Sequence, residues 1–66
     1  MVETQPLAGI RVLLVDDDED TREIIDRVLS RRGAAVVAEP SARAALEAFA
    51  RQAFDVLLVD VMMPVA

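Results

Sequence analysis

Three short apolar runs alternate along the chain with two segments in which apolar residues recur at helical spacing. The runs cover residues 10–15, 34–38 and 56–59 and are rich in branched side chains. Nearly continuous runs of this length are typical of parallel strands that are covered on both faces. We therefore predict three strands, the second closed by Pro40, which disfavours continuation of a ladder.

The first helix is predicted over roughly residues 19–32. Its apolar positions repeat at helical spacing, and they are Ile24, Ile25, Val28 and Leu29. Asp20 and Glu23 have the spacing of an N-cap and its capping-box partner. Gly33 stands where a left-handed residue commonly ends a helix.

The second helix is predicted along residues 42–52, with Ser41 as its cap. One apolar stripe runs along it, formed by Ala45, Leu46, Phe49 and Ala50. The resulting order βαβαβ, with strands and helices at this spacing, predicts an α/β domain with a parallel sheet. Residues 1–9 contain Pro6 and Gly9 and show no sustained period, so we interpret them as a leader or linker before a domain over residues 10–66.

Composition indicates one small folded domain. The chain has 66 residues, of which 55% are hydrophobic, and this excludes the composition of a disordered protein. A domain of this size buries only about 60% of the surface of its unfolded chain, so we expect marginal stability. Phe49, Phe54 and the isoleucines of the first helix are the expected core.

Charge and residue usage narrow the classes of partner. The net charge is −5, and the seven cationic residues are all arginines, which argues against direct contact with nucleic acid. The chain has no cysteine, and no apolar run approaches the ~20 residues that span a bilayer. We expect a cytoplasmic protein that does not enter a membrane.

Acidic residues follow two of the predicted strands. Asp16 and Asp17 follow the first strand, and Asp60 follows the third. Parallel strands point the same way, so these carboxylates share the carboxyl edge of the sheet, where α/β proteins bind ligands. Because clustered carboxylates repel one another, a hard divalent cation is expected among them, and Mg²⁺ prefers carboxylates together with water and phosphate oxygens. Asp18, Glu19 and Asp20 are interpreted as acids favoured by the helix dipole.

Two motifs carry a resemblance to a known family. VDDDED at residues 15–20 and DVLLVDVMMP at residues 55–64 resemble the two N-terminal signatures of the receiver domains of bacterial response regulators. The resemblance spans about residues 10–64 and implies the N-terminal half of a receiver. The implied fold is a partial flavodoxin-like, doubly wound parallel sheet with strand order 2-1-3.

The resemblance also implies roles for individual residues. Asp60 would accept a phosphoryl group from the phosphohistidine of a histidine kinase or phosphotransfer protein. Asp17 would bind Mg²⁺ directly, Asp16 would act mainly through a bound water, and Met62 would contribute its backbone carbonyl. The module would be a phosphoacceptor of two-component signalling and not an enzyme, although a complete receiver assists its own phosphorylation and dephosphorylation.

Some parts of a complete receiver have no counterpart here. The resemblance implies a fourth and a fifth strand, a Ser/Thr switch residue and a lysine that contacts the phosphoryl group, and all of these lie outside this sequence. The third strand is then expected at an edge of the sheet, with apolar residues and no proline or charge to discourage pairing. We expect the 66 residues to self-associate, which sedimentation at micromolar concentrations would detect.

The same acids are compatible in part with three other functions. An EF-hand loop starting at Asp16 would need glycine at its sixth position and glutamate at its twelfth, where the chain has Thr21 and Arg27. A Mg²⁺-dependent phosphohydrolase that forms an aspartyl phosphate would need threonine where the chain has Asp20. A pseudo-receiver that only mediates interactions is left open by the sequence.

Overall fold

The computed structural model describes residues 5–60, which form a three-stranded parallel sheet and two helices. The elements in chain order are β1 (Arg11–Val15), α1 (Glu19–Arg31), β2 (Ala35–Glu39), α2 (Ala42–Arg51) and β3 (Val56–Val59). The strands lie in the order β2-β1-β3, with both pairs parallel. The predicted α/β class, the partial flavodoxin-like topology and the strand order are confirmed.

Strand β1 lies at the centre of the sheet and supplies most of the core. Its register aligns Val15 with Glu39 of β2 on one side and with Val59 of β3 on the other. The four residues from Val12 to Val15 are at most 3% exposed. A central strand of branched side chains therefore carries the hydrophobic stabilisation, because burial of each such side chain contributes roughly 1.5–3 kcal/mol.

The two helices cover opposite faces of the sheet. Leu13 and Val15 form a buried cluster with Ala45 and Ala48 of α2. Leu14 points to the other face, where it lines an open cleft together with Ile25 of α1 and side chains of β3. This arrangement follows from the alternation of side chains along a strand.

The expected aromatic and isoleucine core is only partly formed. Phe49 and Ile24 are both 60% exposed, and Phe54 is half-buried. The rings of Phe49 and Phe54 stack with their centroids 6.3 Å apart. The prediction was wrong for Phe49 and Ile24. In α2 the reason is that the small Ala45 and Ala48, rather than Phe49, face the centre of the sheet.

Strand β3 occupies one edge of the described sheet. All four of its residues are apolar and exposed, with Leu57 at 58%. Leu57 and Val59 line an open apolar groove with Leu46 and Phe49 of α2. The expected edge position of this strand is confirmed within residues 5–60, and self-association through it stays a prediction.

Helix α1 begins at Glu19, as predicted, but its N-cap lies two residues before the predicted one. The N-cap is Asp18, whose backbone is extended and whose side chain accepts a hydrogen bond from the backbone N–H of Thr21. The prediction of Asp20 as N-cap was wrong. Asp20 instead lies in the first turn, where the partial positive charge of the helix end favours an acid.

The end of α1 agrees with its prediction. Gly33 has a φ of +100° and donates its N–H to the carbonyl of Ser30, and Ala34 donates to the carbonyl of Leu29. These two bonds form a Schellman motif, which satisfies the last carbonyl groups of the helix. The left-handed conformation at Gly33 is the reason why glycine suits this position.

The segment of residues 5–9 contacts the end of α1. Leu7 donates its N–H to the carbonyl of Arg32 at 2.9 Å, and Ile10 donates to the carbonyl of Leu7. A Cβ atom placed on Gly33 would lie 3.0 Å from the backbone nitrogen of Ala8 and 3.0 Å from the Cβ of Gln5. The glycine therefore lets this segment pack closely against the turn between α1 and β2.

Arg11 and Asp55 join β1 to the start of β3. The Asp55 carboxylate accepts the backbone N–H of Arg11 at 2.8 Å and contacts its guanidinium at 3.3 Å. Asp55 returns its own N–H to the Arg11 carbonyl. The hydrogen bond from the Arg11 backbone N–H, followed by the bond from its side chain, lowers the pKa of Asp55. Asp55 thus anchors the edge strand to β1 through both its backbone and its carboxylate.

We predict that Gly33→Ala destabilises the fold more than Gly9→Ala. Both glycines have positive φ values, +100° and +81°, so alanine costs about 1–2 kcal/mol at either position. Only at Gly33 would the added methyl group also meet neighbouring atoms, since nothing lies within 4 Å of the corresponding position at Gly9. Urea unfolding of the two variants measures the difference.

Gly9→Ala is the matched control, because it introduces the same backbone strain without the contact. Equal losses of unfolding free energy in the two variants would contradict close packing of residues 5–8 against Gly33.

Candidate functional site

The hydrogen-bond ladders of the sheet continue for one residue past the ends of the strands. Asp16 donates its N–H to the carbonyl of Glu39 at 3.1 Å, and Asp60 donates its N–H to the carbonyl of Val15 at 3.0 Å. Both aspartates are therefore held by the backbone of a neighbouring strand. Because Val15 and Val59 are paired in register, Asp16 and Asp60 lie side by side at the carboxyl edge.

Three carboxylates converge at this edge. One oxygen atom from each of Asp16, Asp17 and Asp60 lies within 4.8 Å of the others. Asp16 is buried, with 7% of its surface exposed, whereas Asp60 is half-buried and Asp17 is exposed. The structure thus brings together the three aspartates that the sequence singled out.

The convergence of three negative charges opposes folding. Two carboxylates about 4.8 Å apart repel by roughly 1 kcal/mol in water and by about 3.5 kcal/mol at an effective dielectric constant of about 20. Three acids make three such pairs, and burial of Asp16 reduces the screening of its charge by water. Such an arrangement is stabilised when a cation binds among the acids.

The donor set fits Mg²⁺. Two oxygen atoms that bind one Mg²⁺ directly lie at most about 4.2 Å apart, since each bond is about 2.1 Å long. The observed limit of 4.8 Å is therefore within a small side-chain adjustment of direct coordination. Carboxylate oxygens that are partly open to solvent also suit an ion that keeps several of its waters.

The turn between β1 and α1 is held by hydrogen bonds on both sides of Asp17. The Oδ1 atom of Asp16 accepts the backbone N–H of Asp18 at 2.9 Å. The carbonyl of Asp16 accepts Nη1 of Arg22, from the first turns of α1, also at 2.9 Å. Asp17 itself makes no hydrogen bond within the part of the chain that the structure describes, so its position depends on these neighbours.

Asp18 has a structural role. Its carboxylate accepts hydrogen bonds from the backbone N–H of Thr21, at 3.1 Å, and from the Thr21 hydroxyl. The hydroxyl bond and then the backbone bond lower the pKa of Asp18 below its ordinary value of 3.8. The carboxylate is thereby used in capping α1, in agreement with its exclusion from the predicted metal ligands.

Sequence reasoning missed the supporting residues of the site. Thr21 is three residues after Asp18, which is the spacing of an N-cap and its amide donor, so this pair was detectable in principle. No sequence signal indicated that Arg22 would reach the Asp16 carbonyl. Met62, the remaining predicted site residue, lies outside the described residues.

Comparison with known proteins agrees with the geometry. The response regulator receiver domain matches this chain over residues 12–66. The chain belongs to the response regulator receiver family. Receiver domains are phosphoacceptor signalling modules of two-component systems, and they bind Mg²⁺ through acidic residues.

Three curated relatives illustrate the range of proteins that contain a similar receiver sequence. An uncharacterized 14.6 kDa protein of Leptolyngbya boryana is 42% identical over 60 residues, which are 91% of this chain and 46% of that protein. The transcriptional activator protein PfeR of Pseudomonas aeruginosa is 44% identical over 82% of this chain and 18% of its own length. The sensor protein GacS of Pseudomonas syringae pv. syringae is 43% identical over 82% of this chain and 6% of its own.

This receiver sequence spans less than half the length of each of these relatives. No solved structure matches it significantly. Among residues 5–60, no helix is long and apolar enough to cross a membrane.

We predict that Thr21→Val raises the pKa of Asp18 toward its ordinary value of 3.8, because the hydroxyl bond that chiefly lowers it is lost. Because the pKa of Asp18 is lower in the folded than in the unfolded state, its carboxylate stabilises the fold at pH values above the unfolded-state pKa. That stability is lost as the pH falls through the folded-state pKa. Loss of the hydroxyl bond should therefore reduce the acid-dependent part of the unfolding free energy. The carboxyl carbon shift of Asp18, followed by NMR against pH, measures the change.

Thr21→Ser retains a hydroxyl at the same position and is the control for this change. An Asp18 pKa that is the same in the valine and serine variants would contradict the assigned cause.

Proposed function

We propose that this receiver accepts a phosphoryl group on Asp60, and that Asp16, Asp17, Asp60 and the backbone carbonyl of Met62 hold Mg²⁺. The observation that carries the proposal is the convergence of the three carboxylates at the carboxyl edge of β1 and β3. The phosphoryl donor would be the phosphohistidine of a histidine kinase or phosphotransfer protein. Similarity to a sensor protein as well as to a transcriptional activator supports a place in such a phosphorelay.

In the proposed reaction an oxygen of Asp60 attacks the phosphorus atom. A bond forms between that oxygen and phosphorus while the bond from phosphorus to the histidine nitrogen breaks. The imidazole, which carries a proton on its other nitrogen, takes the bonding electrons and leaves as a neutral group. Bound Mg²⁺ supplies positive charge that offsets the charge on the phosphoryl oxygens. The chain's own contribution is to hold the Asp60 backbone against the Val15 carbonyl, so that the nucleophile is positioned before the donor arrives.

The environments of the acids favour Asp60 over Asp16 as the nucleophile. Asp16 is 7% exposed and one of its oxygens accepts the Asp18 N–H. Asp60 is half-buried and therefore more open to solvent, although both acids line the cleft between α1 and β3. This difference supports a receiver rather than a phosphohydrolase, whose nucleophile would follow the first strand.

We predict that Mg²⁺ raises the thermal stability of the 66-residue chain. At a free Mg²⁺ concentration ten times the dissociation constant, linkage gives about 1.4 kcal/mol of additional unfolding free energy. Asp17→Asn should reduce this gain because it removes a charge from the ligand set. Thermal melts with and without Mg²⁺ test both statements.

Asp20→Asn is the matched control for the Mg²⁺ experiment, since it removes an acid of the same run that lies in the first turn of α1. Melting shifts of equal size in wild type and Asp17→Asn would exclude Asp17 from the site.

We predict that Asp60→Asn abolishes phosphorylation by a small-molecule phosphodonor and that Asp18→Asn leaves it largely intact. The first variant lacks the nucleophile, whereas asparagine at position 18 is still a good N-cap. The measurement is made by mass spectrometry on a chimera in which the second half of a related receiver follows Ala66. Phosphate retained on the Asp60→Asn chimera would show that the acceptor is a different residue.

A further inference from the structure

Arg22 is the cationic residue that reaches the acidic edge from α1. The residue is half-buried, and its guanidinium donates from Nη1 to the backbone carbonyl of Asp16 at 2.9 Å. The N–H of Asp16 donates to the carbonyl of Glu39, and its Oδ1 accepts from the N–H of Asp18. The Asp16 residue is thus fixed from β2, from α1 and from its own turn.

Asp17 lies between two anchored residues. Asp16 is held on one side as described, and Asp18 is held on the other because its carboxylate caps α1 through Thr21. The exposed Asp17 carboxylate makes no hydrogen bond of its own within residues 5–60. Its distance from the Asp60 carboxylate, within 4.8 Å, therefore depends on how firmly the flanking peptide groups are held.

We propose that Arg22 is a positioning residue of the acidic site, which holds the Asp16 carbonyl and thereby the turn that carries Asp17. This inference rests on the proposed function, because its main readout is Mg²⁺ binding. Arg22 does not touch the reacting atoms. Its role is to keep two carboxylates of the site in place before a cation binds, which avoids the cost of ordering the turn during binding.

The charge of Arg22 and its position have opposite effects on Mg²⁺ affinity. A guanidinium near the site repels a cation, so charge alone predicts that Arg22→Gln binds Mg²⁺ more tightly. Loss of the hydrogen bond to the Asp16 carbonyl would loosen the turn and weaken binding. Loss of groups that orient metal ligands typically weakens metal affinity by roughly tenfold to a hundredfold. The sign of the change therefore separates the two effects.

The experiment follows the backbone amides of Asp16, Asp17 and Asp18 by NMR in the 66-residue chain. Mg²⁺ titration gives the dissociation constant, and hydrogen exchange of the Asp18 amide, measured without Mg²⁺, reports on its bond to Asp16. We expect Arg22→Gln to raise the dissociation constant on the order of tenfold and to speed exchange at Asp18. Protection of Leu13 in the buried centre of β1 verifies that the variant is folded.

Arg27→Gln is the matched control on the same helix. Arg27 is exposed and its only ion pair within residues 5–60 is with Glu23, at 4.0 Å, so the same loss of charge should change neither readout appreciably. Arg22→Lys keeps a positive donor on a similar stem and should recover part of the affinity that Arg22→Gln loses. If Arg22→Gln does not fold, the Mg²⁺ affinity and the Asp18 exchange rate of Arg22→Lys still test the role.

The failure of this inference is distinguishable from the failure of the proposed function. Wild-type chain that shows no Mg²⁺-dependent shift at residues 16–18 would overturn the metal part of the proposed function, while exchange at Asp18 would still test whether Arg22 holds the turn. Wild-type binding with unchanged or tighter binding in Arg22→Gln, or unchanged exchange at Asp18, would overturn the positioning role and leave the function standing.

Discussion

The pairing of β1 with a strand on each side is the interaction on which the rest of the structure depends. Its residues from Val12 to Val15 are nearly inaccessible to solvent, and its backbone groups pair with β2 and β3. The same ladders continue into Asp16 and Asp60, each of which donates its N–H to a neighbouring strand. Core formation and site formation are therefore one event, because any change in strand register would separate the carboxylates.

The acidic edge lowers the stability of the fold. Burial of the β1 side chains favours the fold, whereas the three carboxylates repel one another in that same fold. Two hydrogen bonds stabilise the turn that carries these charges. The N–H of Asp18 donates to the carboxylate of Asp16, and the guanidinium of Arg22 donates to the Asp16 carbonyl. This repulsion is the physical reason for proposing a cation among the three acids.

The apolar groove between α2 and β3 lies beside a small core. Alanines of α2 contact the centre of the sheet, and the larger Leu46 and Phe49 border an open groove beside Leu57 and Val59. The curated relatives described above are all longer than this chain. In contrast, the start of β3 is firmly tied to β1 by the reciprocal bonds of Arg11 and Asp55. The apolar edge is thus anchored at one end although its side chains are exposed.

The sequence by itself determined the order of the elements, the three strands and the convergence of Asp16, Asp17 and Asp60. The strands and helices depend on local hydrophobic period, and the shared carboxyl edge follows from the rule for parallel strands. That β1 and β3 are neighbours, which the convergence requires, was implied by the resemblance to receiver domains. The sequence did not determine the N-cap of α1, which is Asp18 and not the predicted Asp20. Several consecutive acids precede this helix, and each of them is an acceptable cap by local signals alone. The choice of Asp18 depends on where β1 ends and on how Thr21 meets it.

Only the tertiary structure decided which large apolar side chains are buried and which polar groups support the site. Phe49 belongs to an apolar stripe, yet it is exposed because the rotation of α2 places Ala45 and Ala48 against β1. The contact from Arg22 to the Asp16 carbonyl depends likewise on how α1 packs over the sheet. Helical period predicts that a face is apolar, but the orientation of that face is set by packing between elements that are distant in sequence.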